Sequence, residues 1–420
     1  KTAVIFLCIV PVLGVGLLTI AVWAMPVFRA LFRKYDALNG MIQENVYGVR
    51  LVKSFVREDF EKDKFSRSIG ELCSDFTTAE RISALNNPLM QFSMYTVTIF
   101  VLYYGTYKVI TSHGLDMNVG QIAAMMTYSV QILGSLMRLS MVFVMVALSR
   151  ESAARIAEVL NEESTLTSPE DGIKTIADGS IEFCGVSFRY GNEGGLYALR
   201  DVNIKIKSGE TIGIIGGTGS SKTTLIQLIP RLYDAAEGTV KVGGVDVRKY
   251  DLEALRNNVA VVLQKNELFS GTIRDNLLWG DKSASDEKIS EACRIACADE
   301  FVDRLGYDTK IEQNGTNLSG GQKQRLCLAR ALLKNPKVLI LDDSTSAVDT
   351  HTDAKIRSGL KRYMPEVTKI IIAQRVLSVQ EADRIIVMEG GEVKAVGTHE
   401  ELLKSNRIYS EIYLSQNNAL

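Results

Sequence analysis

The sequence predicts an α-helical transmembrane domain followed by an α/β domain with a phosphate-binding loop. The first part is indicated by three runs without a charged residue, at 2–28, 82–107 and 117–137. Each exceeds about 20 residues, which at about 1.5 Å per residue crosses a hydrocarbon core of about 30 Å. A buried helix of a soluble protein would explain one such run but not three. From about residue 160 onward, alternating strand patterns, a glycine-rich turn and interspersed charges indicate the second part.

Apolar periodicity sets the expected boundaries. The segment between the first two uncharged runs is polar, poor in proline and apolar at helical intervals, so we expect long helices that extend the spans into the cytosol. The third helix should continue to about Leu160. The predicted parts are a transmembrane domain at 1–160, with spans at about 2–28, 82–107 and 117–149, a linker at 161–179 and the α/β domain at 180–420.

Basic residues indicate the orientation in the membrane. Arg29, Arg33 and Lys34 follow the first span, whereas the segment 108–118 contains a single basic residue. Because Lys and Arg are enriched on the cytosolic side, the first span should end in the cytosol and the third should return to it. Three spans would place Lys1 outside, so we expect further spans to precede it.

Two features of the transmembrane part allow two interpretations each. The segment ENVYGVRLVKSF (44–55) has an apolar residue at every third position from Val46 to Phe55. This stripe either packs against a neighbouring helix of the same domain or transmits motion between the soluble and membrane domains. Arg138 either extends its charge to the inner interface or lines an inner cavity that attracts a polar part of a transported molecule.

The segment ETIGIIGGTGSSKTTLIQLIPRLY (210–233) has the order strand, glycine-rich turn and helix that a phosphate-binding loop requires. Backbone N–H groups at the start of such a helix bind the β-phosphate of a nucleotide. Lys222 should reach the β- and γ-phosphates, and the Thr223 hydroxyl should ligate Mg²⁺. The candidate loop residues are Gly216, Gly217, Thr218, Gly219, Ser220, Ser221, Lys222, Thr223 and Thr224.

Ser221 occupies the position before the lysine, where the motif has glycine. We expect it to keep right-handed helical angles at the helix start and to point outward, so that nucleotide binding survives. The apolar strand VLILDD (338–343) ends in Asp342, which is placed to hold Mg²⁺ directly or through water. Loop and strand together predict ATP and Mg²⁺ as cofactors.

The segment LSGGQKQR (318–325) lies between the loop and this aspartate, and here the chain resembles the ATP-binding cassette (ABC) transporters. The family's signature is complete at Leu318, Ser319, Gly320, Gly321 and Gln322. The resemblance also identifies Gln264 as the glutamine of the Q-loop and a Mg²⁺ ligand, Asp349 as the D-loop aspartate, Tyr190 as the aromatic residue that stacks on adenine, and GTHEEL (397–402) as the closing segment. Membrane helices fused ahead of the cassette resemble the exporter type, which implies that the three spans are the last three of six and that 44–55 lies in a coupling region.

Besides Ser221, three residues differ from the family's pattern. Asp343 stands where the family usually has the glutamate that polarises the attacking water, and its side chain is one methylene shorter. Gln374 stands in place of the switch histidine, and an amide cannot carry charge or move a proton as an imidazole can. Gln313 stands where exporters often have glutamate.

These departures predict a degenerate nucleotide site and a second ABC half-transporter as partner. In this family each ATP lies between the phosphate loop of one chain and the signature of the other. Asp343 and Gln374 should therefore give this chain a site that binds ATP but hydrolyses it poorly, while its intact signature completes the partner's site. A homodimer with slow ATPase and an ATP-gated regulatory or channel-like protein are the alternatives.

The expected function is ATP-driven export of small hydrophobic or amphipathic molecules. Apolar spans with Met, Tyr and Phe suit such substrates, and they suit lipid contact and helix packing equally well. The cassette should lie in the cytoplasm and the chain in the plasma membrane. A formal net charge of −1 gives no indication of a nucleic-acid partner, and the six cysteines lack the spacing of a zinc site or a disulfide framework.

Overall fold

A computed structural model describes residues 4–113, 115, 117–191, 195–343 and 348–417. The chain forms two compact units, 1–163 and 164–420. The first unit contains the helices α1 (Val4–Ser54), α2 (Glu58–Ala84), α3 (Asn86–Thr111) and α4 (Val119–Leu160). The expected continuation of the last helix to Leu160 is confirmed, as is the extension of α1 well beyond its uncharged run.

A small apolar cluster joins three helices of the first unit. Leu13 and Leu17 of α1, Val97 and Val101 of α3, and Leu133 of α4 are buried against one another. Further along α1, Lys34 Nζ lies 2.6 Å from Oδ2 of Asp75 on α2. These contacts bury only a narrow strip of each helix. Most large apolar side chains of this unit therefore remain exposed.

The exposed apolar surface of the first unit suits a membrane. Among the residues the structure describes, two helices are long and apolar enough to cross one, over Cys8–Ser54 and Val119–Leu139. The helix α3 does not pass this test because Asn, Gln, Ser and Thr residues dilute its apolar side chains, so its crossing stays a prediction. Within the apolar stripe, Val46 and Phe55 are 67% and 69% accessible and Val52 is half-buried, so most of the stripe faces away from the described helices of this unit, and its two interpretations stay predictions.

The second unit is an α/β domain with two principal sheets. Its strands are β1 (Ile181–Phe188), β2 (Leu199–Ile206), β3 (Thr211–Gly216), β4 (Glu237–Val242), β5 (Val245–Asp246), β6 (Val259–Val262), β7 (Gly271–Thr272), β8 (Lys310–Ile311), β9 (Val338–Asp342), β10 (Thr368–Ile372), β11 (Arg384–Glu389) and β12 (Glu392–Gly397). One sheet has the order β2-β1-β4-β5, the other has the order β12-β11-β3-β10-β9-β6, and β7 pairs with β8.

Helices cover the six-stranded sheet. The second unit contains α5 (Lys222–Gln227), α6 (Leu252–Asn258), α7 (Ile273–Leu277), α8 (Asp286–Ile295), α9 (Asp299–Leu305), α10 (Gly320–Leu333), α11 (Thr350–Tyr363), α12 (His399–Ser405) and α13 (Arg407–Asn417). Of these, α5, α6, α10 and α12 contact strands of the six-stranded sheet. Successive residues of β10 alternate between two cores, since Ile370 and Ile372 join one apolar cluster and Ile371 joins the other. Burial on both faces is typical of a parallel sheet covered by helices.

Part of the expected linker makes contacts in the second unit. Ile176 is 4% exposed and belongs to one of its apolar clusters. Ile173 pairs with Tyr250, and the Ser168 hydroxyl accepts a hydrogen bond from the backbone N–H of Leu252. The folded part of the second unit therefore begins before β1.

Candidate nucleotide site

Four parallel strands bring the candidate residues to one edge of the six-stranded sheet. The strands β3, β10, β9 and β6 are neighbours and run in the same direction. Their carboxyl ends lead to the phosphate loop, to Gln374, to the pair Asp342 and Asp343, and to Gln264. Ligands bind at this end of open parallel sheets. A cavity of about 500 Å³ lies here, lined by Ile215, the loop residues 216–224, Gln264, Asp342, Asp343, Ile372, Gln374 and Ile412.

The phosphate loop curls around the ammonium group of Lys222. Its Nζ donates to the carbonyl oxygens of Gly216 and Gly217, at 2.8 and 2.9 Å, and to Oγ of Ser220 at 3.1 Å. Gly216 is required by close packing, because a Cβ there would lie 2.2 Å from the carbonyl oxygen of Met388. Burial lowers the pKa of Lys222, although the charges of the two aspartates oppose this. The lysine therefore lines the cavity, and phosphate oxygens could replace the loop oxygens that now accept its hydrogen bonds.

The expectation of right-handed helical angles at Ser221 is wrong. Its φ is +67° and its ψ is 25°, which lies in the left-handed region, and α5 begins only at Lys222. The reason is that the chain must reverse direction after Gly219, also at positive φ, before a helix can start from the curled loop. A left-handed conformation costs a residue with a Cβ roughly 1–2 kcal/mol, and the serine side chain makes no capping hydrogen bond that offsets it.

Thr223 and Asp342 form the candidate metal position. The Thr223 hydroxyl donates to Oδ2 of Asp342 at 2.9 Å, so two hard oxygen ligands already lie together. Asp342 is only 2% exposed, and burial raises its pKa, with Asp343 adding to the shift. The described residues contain no cluster of three or more His, Cys, Asp or Glu that could hold a metal. Proteins usually bind Mg²⁺ through one or two carboxylates together with phosphate oxygens and water, and the Thr223 and Asp342 oxygens are ligands of that kind.

Asp343 and Gln374 contact each other directly. Nε2 of Gln374 donates to Oδ2 of Asp343 at 3.0 Å, and the backbone N–H of Asp343 donates to the carbonyl oxygen of Ile372 at 2.9 Å. Asp343 has a φ of +47°, a conformation that Asp tolerates better than most residues. Burial raises the pKa of its carboxyl, against the opposing charges of Lys222 and Arg375. The two catalytic positions that depart from the family's pattern thus form one hydrogen-bonded pair at the cavity.

Tyr190 lies beside the loop helix rather than within the cavity lining. Its hydroxyl is 2.9 Å from Oγ1 of Thr224 and 3.4 Å from Oε1 of Gln227. Its ring makes edge-on contacts with Phe188 and Tyr233, and the residue is 48% exposed. An exposed ring fixed in this way offers a surface on which a base can stack.

The signature and the D-loop aspartate do not line this cavity in the described part of the chain. Ser319 caps α10 in a reciprocal pair with Gln322, in which each side chain bonds the other's backbone N–H. Ser319 and Gly320 are exposed, and Gly321 and Gln322 are half-buried. Asp349 caps α11 through the backbone N–H of Thr352, and this bond lowers the pKa of its carboxyl. Exposed groups at a helix start leave the signature accessible to another molecule.

The C-terminal helix contributes residues that the sequence did not indicate. Ile412 of α13 lines the cavity about 190 positions after the loop in the chain. Gln416, one turn further along the same helix, donates to the backbone carbonyl oxygen of Gln374. Neither residue belongs to a motif, and their apolar or amide side chains carry no chemical signature. Gln264 also lines the cavity and is exposed, as expected for a loop residue.

Two family models match the chain. One describes an ABC transporter transmembrane region and matches residues 1–136, and the other describes an ABC transporter and matches residues 199–346. An uncharacterized ABC transporter ATP-binding protein of Bacillus subtilis is 37% identical over 421 residues, which cover 99% of this chain and 72% of the relative. One of Mycobacterium bovis is 35% identical, with 97% and 70% covered.

Two further similar proteins have names that state a transport function. The ATP-dependent lipid A-core flippase of Desulfotalea psychrophila is 33% identical over 423 residues, 99% of this chain and 72% of the flippase. The solved structure of a bacterial Atm1-family ABC exporter with ATP bound has a TM-score of 0.88 and 25% identity, covering 99% of this chain and 73% of that one. The chain belongs to the ABC exporter family, as an ATPase-coupled half-transporter in which a transmembrane helical domain is followed by the ATPase domain.

Proposed function

We propose that this chain is one half of a heterodimeric ABC exporter and that its own nucleotide site binds Mg²⁺ and ATP but hydrolyses ATP slowly. The observation that carries the proposal is the hydrogen bond between Gln374 and Asp343. Both residues that would prepare a water molecule for attack are replaced by a shorter carboxylate that is oriented by an amide, a pair that would leave only slow hydrolysis. The phosphate loop, in contrast, keeps its lysine and its threonine in place.

The length of the Asp343 side chain supports slow hydrolysis. Aspartate reaches roughly 1.5 Å less far than glutamate, and a displacement of about 1 Å in a catalytic group can cost roughly 100-fold in rate. Gln374 can donate a hydrogen bond to a γ-phosphate, but it cannot supply positive charge. Asp342 is buried and Asp343 is half-buried, and burial raises the pKa of both carboxyls, so a bound divalent cation would compensate their charge.

ATP and Mg²⁺ would be held by residues that already lie together. Lys222 and the loop N–H groups would bind phosphate oxygens, Tyr190 would support adenine, and Thr223, Asp342 and Gln264 would hold the cation. The cation would supply positive charge that neutralises the phosphate oxygens. The signature residues Ser319 to Gln322 at the start of α10, of which Ser319 and Gly320 are exposed, would complete the nucleotide site of the partner.

The transported molecule is proposed to be hydrophobic or amphipathic. The first unit exposes large apolar side chains along α1, α3 and α4, which suit contact with lipid, with further helices or with such a substrate. The flippase among the relatives acts, by its name, on a lipid. We place the helices as the last three spans of a six-span domain in the plasma membrane, with the cassette in the cytoplasm.

The decisive experiment is purification of the full-length transporter with its candidate partner half-transporters. We expect a heterodimer in which glutamine at the partner's catalytic glutamate abolishes turnover, while Asp343→Asn changes it little. A homodimer with full, substrate-stimulated ATPase would contradict the proposal, as would equal loss of turnover from the two substitutions. The alternative of a homodimer with slow ATPase predicts ATPase activity in the absence of any partner chain. Nucleotide trapping and vesicle transport assays distinguish either exporter from the other alternative, an ATP-gated regulatory or channel-like protein.

A further inference from the structure

The C-terminal helix α13 is anchored to the cassette core at its start. Tyr409 is fully buried, and its hydroxyl lies 2.7 Å from Nδ1 of His399 on α12. Three residues later Ile412 lines the nucleotide cavity. Ile412 and Gln416 are four positions apart and therefore lie on the same face of the helix. One face of α13 thus borders the site along a full turn.

Gln416 bonds twice to the backbone that follows β10. Its Nε2 donates to the carbonyl oxygen of Gln374 at 2.7 Å, and its Oε1 accepts from the backbone N–H of Val376 at 2.8 Å. The two partners fix the orientation of the amide, because one offers only an acceptor and the other only a donor. Val376 is itself buried and begins a 3-10 turn. The segment 374–376 is therefore held between the core and α13.

The same segment carries the side chain that contacts Asp343. A chain of hydrogen bonds runs from Gln416 through the backbone of Gln374 and along its side chain to Oδ2 of Asp343. Gln374 and Asp343, the last two residues of this path, line the nucleotide cavity. The carbonyl oxygen of Gln374 and the backbone N–H of Val376 are both bonded to Gln416. If these bonds were lost, the backbone at Gln374 could shift, and its side-chain amide would then move relative to Asp343.

We propose that Gln416 is a positioning residue of the nucleotide site, which keeps segment 374–376 in place so that the Gln374 amide stays on Asp343. The proposal rests on the proposed function in one respect, namely that ATP is bound and slowly hydrolysed at this site. Gln416 acts without touching nucleotide, so its loss should lower the rate constant of hydrolysis and leave nucleotide affinity unchanged. Loss of two hydrogen bonds corresponds to a fall of about tenfold.

The test uses the full-length transporter and a photoreactive azido-ATP that labels each chain separately. The conversion of bound ATP to ADP on this chain is followed in a single turnover, together with the ATP concentration that gives half-maximal labelling. Gln416→Leu removes both hydrogen bonds at similar size, and Gln416→Glu keeps the acceptor for Val376 only. Ser415→Ala is the matched control, because Ser415 is exposed on the same helix and bonds only within it.

We expect hydrolysis on this chain to fall about tenfold in Gln416→Leu and less in Gln416→Glu, with unchanged half-maximal labelling and an unchanged Ser415→Ala control. Combined with Gln374→Ala, Gln416→Leu should have little further effect. Equal rates in Gln416→Leu and Ser415→Ala would overturn the proposal, and so would full multiplication of the two effects in the double variant or a loss confined to labelling. If the transporter proves to be a homodimer, the labelled chain still reports on this site, so the two proposals can fail separately.

Discussion

Gln374 and Asp343 are 31 positions apart in the chain and are joined by a hydrogen bond of 3.0 Å from Nε2 to Oδ2. Each lies just beyond the end of a neighbouring parallel strand, β10 and β9 respectively. The side chains at these two catalytic positions therefore contact each other, so a substitution at either one should change the environment of the other. Their pairing makes restoration of both a sharper experiment than restoration of one.

Asp343→Glu combined with Gln374→His should raise hydrolysis at this chain's site by roughly 10- to 100-fold. Glutamate restores the missing reach, and histidine restores a group that can carry charge. Single-turnover conversion of labelled ATP on this chain measures the effect. Asp343→Asn combined with Gln374→His is the control and should show no gain, and a double variant as slow as the unaltered chain would locate the defect elsewhere.

Ser221→Gly should stabilise the cassette by up to about 1 kcal/mol. Glycine removes the roughly 1–2 kcal/mol cost of a left-handed residue, and its greater freedom in the unfolded chain offsets part of the gain. Thermal unfolding monitored by fluorescence, with nucleotide absent, measures the change. Ser221→Ala keeps the Cβ and should leave the midpoint nearly unchanged, because the hydroxyl makes no cap. A lower midpoint for the glycine variant would contradict the strain at this position.

Thr223→Val should weaken Mg²⁺-dependent ATP binding by about tenfold, a typical effect of removing a group that supports a metal. The substitution retains the shape of the side chain and removes the hydroxyl that contacts Asp342. Titration of a fluorescent ATP analogue at several Mg²⁺ concentrations measures it, with Thr223→Ser as the matched control. In excess EDTA the variants should bind alike, and a defect of Thr223→Val that persists in EDTA would show that the hydroxyl does not act through the cation.

Glu210→Gln should destabilise the cassette by about 1–3 kcal/mol at neutral pH. The side chain of Glu210 is 12% exposed and accepts hydrogen bonds from Arg384 and from the backbone N–H of Lys207. Burial tends to raise its pKa, but these bonds prevail and lower it from 4.5. Stability from a lowered carboxyl pKa is present above the unfolded value of 4.5 and is lost as pH falls through the folded value.

The difference between Glu210→Gln and the unaltered chain should therefore shrink as the pH is lowered below about 4.5, as thermal unfolding at several pH values can show. Glu182→Gln is the matched control, since Glu182 pairs with Lys205 and Lys241 on a more exposed face. Its effect should be small at every pH, because exposed ion pairs contribute little to stability. A penalty for Glu210→Gln that is equal at pH 7 and pH 3.5 would exclude the ion pair as its cause.

The sequence alone determined those features that depend on neighbouring residues. Uncharged runs predict α1 and α4 because hydrophobic length is a property of a continuous segment. The order strand, turn and helix around Lys222, the apolar strand before Asp342 and the signature at Ser319 are equally local, so their spacing was sufficient to find them. The replacements at Asp343 and Gln374 were visible for the same reason.

Only the tertiary structure decided what depends on contacts between distant segments. The left-handed angle of Ser221 follows from a loop that must close around Lys222, and a residue's own identity does not determine it. The hydrogen bond between Gln374 and Asp343 arises because β9 and β10 are parallel neighbours. The bonds of Gln416 join residues 40 and 42 positions apart. Such contacts depend on how helices and strands pack, and an amide at the end of a surface helix has no pattern that would reveal its partner.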